Sequence, residues 1–326
     1  MLVGPFVVKR DPSVGKFDVI RADVFGADKK KRQCKDDGMK GEGILHGLLN
    51  WARALMLVEF HSISSSHIWS RSIKIARREI VLGLASLPLA MVLANPRLSW
   101  AAAQSLKNVT LNTDGGVAVQ AALAVPTQTP AAAVMLVHEC WGLNDQIKSM
   151  AAELAKQGYL ALAIDLYGGK ATADPGQARK LMGGVDPAVA TDTIGSWLRW
   201  LKRHDMANGK AATIGWCFGG GWSLNASLAE PVDATIVYYG NVKKSAGDLN
   251  PLHGPVLGHF AERDKWINHD MVNGFEAAME KAGKPFTSHW YQADHAFANP
   301  TSGRYDDDDA ALAWRRSLDF LGQHLS

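Results

Sequence analysis

The stretch Gly215-Trp216-Cys217-Phe218-Gly219-Gly220-Gly221 decides the fold predicted for this chain. The apolar run 210–214 before it is typical of a strand, and the pattern of residues 222–229 after it is typical of a helix. A strand that turns into a helix through Gly-x-Cys-x-Gly has the pattern of a nucleophile elbow, in which the residues flanking the tight turn must be small. The stretch therefore predicts that Cys217 projects above the edge of a sheet as a nucleophile.

This position also predicts a reactive thiol at Cys217. The free N–H groups and the positive dipole end of the following helix would face the sulfur, which lowers the pKa of a thiol and favours the thiolate. The alternative is a buried structural cysteine in a glycine-rich turn, because short motifs have many chance matches.

The charges are unevenly distributed along the 326 residues. Residues 1–103 hold 16 Lys and Arg against 9 Asp and Glu, and residues 104–326 hold 19 against 23, so that +7 and −4 sum to the net charge of +3. The mildly acidic charge of residues 104–326 gives no reason to predict nucleic-acid binding. Three cysteines cannot make a disulfide framework.

An export signal is predicted over residues 70–103. Four basic residues between Arg71 and Arg78 precede the apolar run 80–93, which is too short to span a bilayer comfortably. Small residues end the segment, with cleavage expected before Gln104, and the pair Arg77-Arg78 suggests the twin-arginine route. The alternative is a buried amphipathic helix. The signal predicts a periplasmic or secreted protein that has no stable membrane insertion after cleavage.

Residues 1–69 are predicted to form a poorly ordered N-terminal extension. They carry a run of basic residues at 29–32 and show no clear periodicity before Gly43. Met56 would make a more natural start, because it would place the arginines in an ordinary signal n-region. A peptide from residues 1–55 in the native protein would contradict that start.

Residues 104–326 are predicted to be the catalytic domain, in which strands and helices alternate. Segments 109–111 and 117–123 flank Asp114-Gly115-Gly116 and predict a hairpin. Further strands are expected at 131–137, 159–164, 210–214, 234–238, 256–260 and 286–291, and helices at 145–157, 175–182, 188–204, 222–229, 269–282 and 306–325. This alternation predicts an α/β fold with a mostly parallel sheet and helices on both faces.

Four residues that can carry chemistry fall at or just beyond strand ends: Glu139, Cys217, Asp264 and His295. Functional groups of such sheets lie at the carboxyl ends of the strands. A thiol nucleophile needs a histidine to take its proton, and the histidine needs a carboxylate to fix its tautomer. The order nucleophile, acid, histidine is the order of α/β-hydrolases. For Glu139 the alternative role is to cap the helix that begins near Asp145.

The chain resembles the dienelactone hydrolase (carboxymethylenebutenolidase) family over about residues 105–326. The matching stretches are His138-Glu139-Cys140-Trp141-Gly142-Leu143, Asp165-Leu166-Tyr167, Gly215-Trp216-Cys217-Phe218-Gly219-Gly220, Asp264, and His295-Ala296-Phe297. The resemblance implies an α/β-hydrolase fold, with Cys217 as nucleophile, His295 as base and Asp264 as the residue that orients it. It also implies that Glu139 contacts the resting thiol and takes part in its activation when substrate binds.

The same resemblance assigns the residues around the reacting centre. It implies an oxyanion hole made by the backbone N–H groups of Cys140 and Phe218, and the side chain of Cys140 is expected to point away into packing. The residues expected to bind substrate are Trp141, Tyr167, Lys170 and Phe297.

One part of the family pattern differs in this chain. Family members use arginines to hold the carboxylate of the substrate, one of them a few residues after the histidine. Here that stretch reads Ala298-Asn299-Pro300, with no arginine before Arg304, and Lys170 lies near the position of the other arginine. The anion contact is therefore expected to be weakened or rebuilt.

The predicted function is hydrolysis of a small-molecule ester or lactone through a thioester acyl-enzyme intermediate. A thioesterase or peptidase-like hydrolase is the alternative on the same fold, and a non-catalytic binding protein is a third hypothesis. No metal or organic cofactor is implied, because the histidines outside the triad show no metal-ligand spacing. We expect a monomer.

Overall fold

The computed structural model describes residues 89–326, and the predictions for residues 1–88 lie outside this range. The eight strands are β1 (Lys107–Asn112), β2 (Ala118–Ala124), β3 (Ala131–Val137), β4 (Leu160–Ile164), β5 (Ala207–Trp216), β6 (Ala234–Tyr238), β7 (Val256–Ala261) and β8 (Phe286–Tyr291). The helices are α1 (Leu89–Ala94), α2 (Pro96–Gln104), α3 (Asp145–Lys156), α4 (Pro175–Gly183), α5 (Pro187–Lys202), α6 (Phe218–Ala229), α7 (His269–Lys281) and α8 (Asp307–Leu325).

The strands form one sheet in the order β1-β2-β4-β3-β5-β6-β7-β8. The hairpin of β1 and β2 pairs antiparallel with itself and with β4, and every other neighbouring pair is parallel. The predicted opening hairpin and the mostly parallel sheet are therefore confirmed. Because β3, β5, β6, β7 and β8 run in the same direction, the segments that follow them meet at one edge of the sheet.

Helices cover both faces of this sheet, as predicted. Val134 and Leu136 of β3 pack in the same core cluster as residues of α3 and α8, whereas Met135 between them packs with residues of α5. This alternation is the period of two that a strand imposes on its side chains. A third cluster lies between α6, α7 and strands β6 and β7. Strands β3, β4, β6 and β7 are buried along their whole length, and β5 is buried over its last six residues before Cys217.

Residues at the end of the predicted export signal are helical and packed on the body. The side chains of Val92 and Leu93 are buried, and Oγ of Ser99 lies 2.9 Å from Oγ of Ser149 on α3. In the described residues, no helix has both the length and the apolar character needed to cross a membrane.

The helix after the elbow begins earlier than the sequence pattern predicts. The predicted segment is 222–229, but α6 starts at Phe218, directly after Cys217. The glycines 219–221 hide the helical period because they contribute no apolar side chains. Gly219 and Gly220 are glycines because backbone atoms of neighbouring segments leave no space there for a Cβ atom.

Candidate active site

Cys217 occupies the tight turn between β5 and α6. Its backbone has φ 53° and ψ −117°, and a positive φ is uncommon for a residue other than glycine. A Cβ atom on Gly215 would lie 2.0 Å from the backbone oxygen of Gly219, and one on Gly219 would lie 2.2 Å from the backbone oxygen of Val137. Both positions therefore require glycine, and the turn presents the Cys217 side chain at the functional edge of the sheet.

His295 and Asp264 lie beside Cys217 in a continuous line of contacts. Nε2 of His295 is 3.2 Å from Sγ of Cys217, and Nδ1 is 2.6 Å from Oδ2 of Asp264. Oδ1 of Asp264 accepts hydrogen bonds from the N–H groups of Trp266 and Ile267 at 2.8 and 3.1 Å. Burial alone would raise the pKa of Asp264, but the hydrogen bonds from His295 and these N–H groups hold that pKa below its usual range. An ionised Asp264 keeps the proton on Nδ1, so that Nε2 faces the sulfur as an acceptor.

Glu139 follows β3 and is buried, with 2% of its surface exposed. Its carboxyl group accepts hydrogen bonds from the hydroxyl of Tyr239 at 3.1 Å and from the side-chain amide of Asn299. Burial raises the pKa of Glu139, and these two hydrogen bonds oppose the rise only in part. The cap of α3 is the side chain of Asn144, which accepts from the N–H of Ile147. The alternative role of Glu139 as a helix cap is therefore excluded.

Cys140 and Cys217 line the same cavity, and the side chain of each one changes the pKa of the other. The prediction that the Cys140 side chain points into packing is wrong. The side chain of Cys140, burial and the neighbouring Glu139 raise the pKa of Cys217 well above its usual value, against a smaller lowering by the N–H of Phe218. The expected lowering of this pKa is also wrong, because the start of the helix is outweighed by burial and by acidic neighbours. This raised pKa favours the neutral thiol form of Cys217.

The two backbone N–H groups predicted to form an oxyanion hole lie beside the sulfurs. The N–H of Phe218 lowers the pKa of Cys217, and the N–H of Cys140 lowers the pKa of its own thiol. Both residues line the same cavity as His295. The N–H groups are therefore close to the point where a carbonyl carbon would meet Cys217.

This cavity has a volume of about 1130 Å³. Its apolar wall includes Trp141, Met182, Phe218, Trp222, Trp266 and Ile267. Four cationic side chains also line it: Arg179, Lys243, Lys244 and Arg304. Within the part of the chain that the structure describes, Glu139 is the only acidic residue in the wall. The cavity thus combines a large aromatic surface with positive charge.

Of the four residues expected to bind substrate, the structure brings Trp141 to this cavity and the other three to different places. Lys170 is exposed and lines a neighbouring cavity of about 650 Å³. Tyr167 is buried, packs against Phe218 at a ring-centroid distance of 5.5 Å, and lines that second cavity as well. Phe297 is fully buried in the core. Their positions near strand ends do not determine the directions in which these side chains point.

Several residues of the cavity carry no sequence motif and were not predicted. Tyr239 directly follows β6, so the strand-end rule could have found it. Asn299 comes four residues after His295 and could have been noticed as the replacement for the family arginine. Arg179 lies on α4 and Lys243 lies in the loop after β6, and no spacing in the sequence indicates either one.

We expect Glu139→Gln to move the pH midpoint of Cys217 alkylation downward. The carboxylate of Glu139 raises the pKa of Cys217, and the neutral amide removes that charge while keeping the shape of the side chain. Iodoacetamide labelling rates across a pH series measure the shift. Glu276→Gln, on the exposed surface of α7, is the matched control. An unchanged midpoint would mean that Glu139 is only structural.

The same substitution should change how stability depends on pH. Burial raises the folded-state pKa of Glu139, so the wild type loses stability as the pH rises through that value. Glu139→Gln lacks this loss, and its stability relative to wild type should therefore improve with rising pH. Urea unfolding at several pH values measures the difference.

Comparisons with known proteins agree with this geometry. The model of the dienelactone hydrolase family matches residues 119–325. The carboxymethylenebutenolidases of Pseudomonas putida and Pseudomonas knackmussii are each 28% identical over 231 residues, which cover 66% of this chain and 95% of the relative. A solved dienelactone hydrolase-like promiscuous phosphotriesterase from metagenomic libraries has a TM-score of 0.63 at 22% identity, over 68% of this chain and 99% of that one.

The family match covers more than half of the chain, and the structural likeness supports the same fold. The predicted α/β-hydrolase fold is therefore confirmed. The relatives are hydrolases by name, in agreement with the cysteine, histidine and carboxylates gathered at the sheet edge. The chain therefore belongs to the dienelactone hydrolase family and is a hydrolase of that type.

Proposed function

We propose that the protein hydrolyses a carboxylic ester or lactone, with Cys217 as nucleophile, His295 as base and Asp264 as the residue that orients the histidine. The observation that carries the proposal is the line of contacts from Sγ to Nε2 at 3.2 Å and from Nδ1 to Oδ2 at 2.6 Å. This geometry lets a proton leave the thiol for an imidazole whose other nitrogen is already held by a carboxylate.

The reaction proceeds through a thioester on Cys217. The sulfur attacks the carbonyl carbon as its proton passes to Nε2 of His295, and the N–H groups of Phe218 and Cys140 stabilise the oxyanion. His295 then protonates the leaving alkoxide. A water molecule that gives its proton to His295 attacks the thioester, the C–S bond breaks with release of the acid, and His295 returns the proton to the sulfur of Cys217. The Cys140 side chain, burial and Glu139 raise the pKa of the resting Cys217, so the thiol loses its proton to His295 as the sulfur attacks.

Covalent labelling separates a catalyst from a non-catalytic binding protein. A p-nitrophenyl ester should leave an acyl group on Cys217, and His295→Gln should abolish this acylation while the protein stays folded. A substrate panel of aryl esters, lactones, thioesters and peptides then separates ester hydrolysis from the thioesterase and peptidase-like alternatives. Preference for thioesters or peptides over esters and lactones would overturn the proposed substrate class.

The charge of the cavity favours a substrate that carries an anionic group in addition to its ester. Arg304 lines the cavity, with its guanidinium 3.4 Å from the backbone oxygen of His295 and 5.8 Å from the ring centroid of Trp266. Lys243 and Lys244 line the same cavity. In this proposal, Arg304, Lys243 and Lys244 replace the arginines with which family members hold the substrate carboxylate.

We expect the double variant Lys243→Gln/Lys244→Gln to raise KM for an anionic ester by roughly five- to tenfold, since two exposed charges contribute about 1 kcal/mol together. The kcat value, and both constants for a neutral ester of the same size, should stay unchanged. Initial-rate kinetics at low and high salt measure this, because salt screens exposed charges. Lys107→Gln/Lys281→Gln, on exposed positions that do not line the cavity, is the matched control. Equal effects on both esters would contradict the charge argument.

We also propose that residues 70–103 direct export and that cleavage before Gln104 releases a periplasmic or secreted enzyme. The flank charge and the length of the apolar run support this proposal. The competing arrangement keeps residues 89–103 as part of the fold through contacts such as the one between Ser99 and Ser149. N-terminal sequencing of the native protein decides, because a mature chain that still contains Leu89 would overturn cleavage at this site.

A further inference from the structure

Two cysteines from neighbouring strands face each other in the cavity. Val137 at the end of β3 is paired with Gly215 near the end of β5, and the chain continues from each strand to a cysteine within three residues. These residues are Cys140 and Cys217, and their side chains lie close enough for each to change the pKa of the other. Both are free thiols, partly exposed, and both line the cavity that receives the substrate. A small polar solute that enters the cavity therefore meets two sulfurs together.

The proposed hydrolytic reaction does not use the side chain of Cys140. Only its backbone N–H contributes to the oxyanion hole, and any residue other than proline supplies that group. A second thiol in contact with a nucleophilic sulfur has a chemistry of its own, because a sulfenic acid condenses with a neighbouring thiol to form a disulfide.

We propose that Cys140 and Cys217 form a reversible intramolecular disulfide when a small hydroperoxide enters the cavity. One sulfur, as the thiolate, attacks a peroxide oxygen; the O–O bond breaks, and the departing oxygen leaves as water or as an alcohol. The second sulfur attacks the resulting sulfenic sulfur, and the S–O bond breaks with release of water. Two thiols and one hydroperoxide thus give one disulfide, and the two electrons taken from sulfur reduce the peroxide.

The surroundings of the pair support this chemistry. The side chain of Cys217 lowers the pKa of Cys140, so Cys140 is the sulfur that ionises more readily. Nε2 of His295 lies 3.2 Å from Sγ of Cys217 and can accept the proton that Cys217 loses when it attacks the sulfenic sulfur. A disulfide needs Cα atoms within about 7 Å, a separation that the ends of the adjacent strands β3 and β5 can supply. The bond would block the nucleophile and protect it from irreversible oxidation to sulfinic or sulfonic acid.

The test uses the full chain with Cys34→Ser, so that the only bridge available within one molecule is the one between Cys140 and Cys217. Treatment with a small excess of hydrogen peroxide, followed by alkylation and non-reducing peptide mapping, should give a peptide that joins the two cysteines. The fraction cross-linked should match the fraction of ester hydrolysis lost, and dithiothreitol should restore the untreated rate. Sulfinic acid on Cys217 with Cys140 still open to alkylation would overturn the proposal.

A second variant shows whether Cys140 is the partner. In Cys34→Ser/Cys140→Ala, compared with its own untreated rate after folding is checked by thermal melting, peroxide should carry Cys217 on to sulfinic acid, so that dithiothreitol restores a much smaller share of the lost activity. Equal reversal in both proteins would also overturn the proposal. The cross-linked peptide is detected without an activity assay, so the disulfide can stand even if Cys217 is not the hydrolytic nucleophile.

Discussion

Cys217→Ala should abolish ester hydrolysis, with kcat/KM falling by on the order of four to six decades if the triad acts as a unit. The sulfur is the atom that His295 contacts at 3.2 Å, and no other nucleophile of the described chain occupies the elbow. Removal of the thiol leaves the oxyanion hole and the cavity, which together give only weak catalysis over water. Stopped assays with a p-nitrophenyl ester at high enzyme concentration measure the residual rate.

The control for this variant is its stability, because Cys217 sits in a strained turn. A melting temperature close to that of the wild type shows that the loss is chemical. Cys217→Ser should also be much slower than the wild type, since Glu139 and His295 surround a group that must ionise and a hydroxyl does so far less readily than a thiol. Retention of most of the esterase activity in Cys217→Ala would refute the proposed mechanism.

Gly215→Ala should destabilise the fold by about 3 kcal/mol or more. The new Cβ atom would lie 2.0 Å from the backbone oxygen of Gly219 and 3.0 Å from the backbone nitrogen of Gly220. Backbone atoms at the start of α6 cannot rotate away as a flexible side chain can, so strand and helix must separate. The free energy of unfolding in urea, or a loss of soluble protein, measures the effect.

Gly274→Ala is the matched control for that variant. Gly274 lies inside α7, where a Cβ would meet no atom within 4 Å, and alanine is the better helix former. This control should be neutral or slightly stabilising, by up to about 1 kcal/mol. If Gly215→Ala matched the stability of Gly274→Ala, the close approach at the elbow would not be a requirement of the fold.

Much of the fold follows from local patterns. The continuous apolar run of β3 and the glycines at the elbow each have one physical interpretation, a strand buried on both faces and a turn without space for side chains. Because parallel strands end at the same edge, the order of Glu139, Cys217, Asp264 and His295 was enough to predict that they meet. That prediction uses the direction of the chain and needs no knowledge of side-chain packing.

The remainder depends on side-chain directions, which strand ends do not determine. Cys140 was expected to turn away from Cys217 and turns toward it, which raises the pKa of the nucleophile instead of lowering it. Tyr167 and Phe297 occupy core positions because large rings fill the space beneath the sheet edge. Tyr239 and Asn299, which donate hydrogen bonds to Glu139, lie 100 and 160 residues after it in the chain, and only packing brings them together.

The cavity is lined partly by residues that follow the strands and partly by residues of surface segments. This has a consequence for how the substrate preference of the protein can be changed by mutation. Its reacting groups follow buried strands, whereas Arg179, Lys243, Lys244 and Arg304 come from a short helix and from loops that tolerate substitution. A mutant library confined to residues 172–182, 241–244 and 300–304 would therefore explore new substrate preferences without changing the elbow or the residues that hold Glu139. Selectivity in such a scaffold can evolve separately from the capacity for bond cleavage.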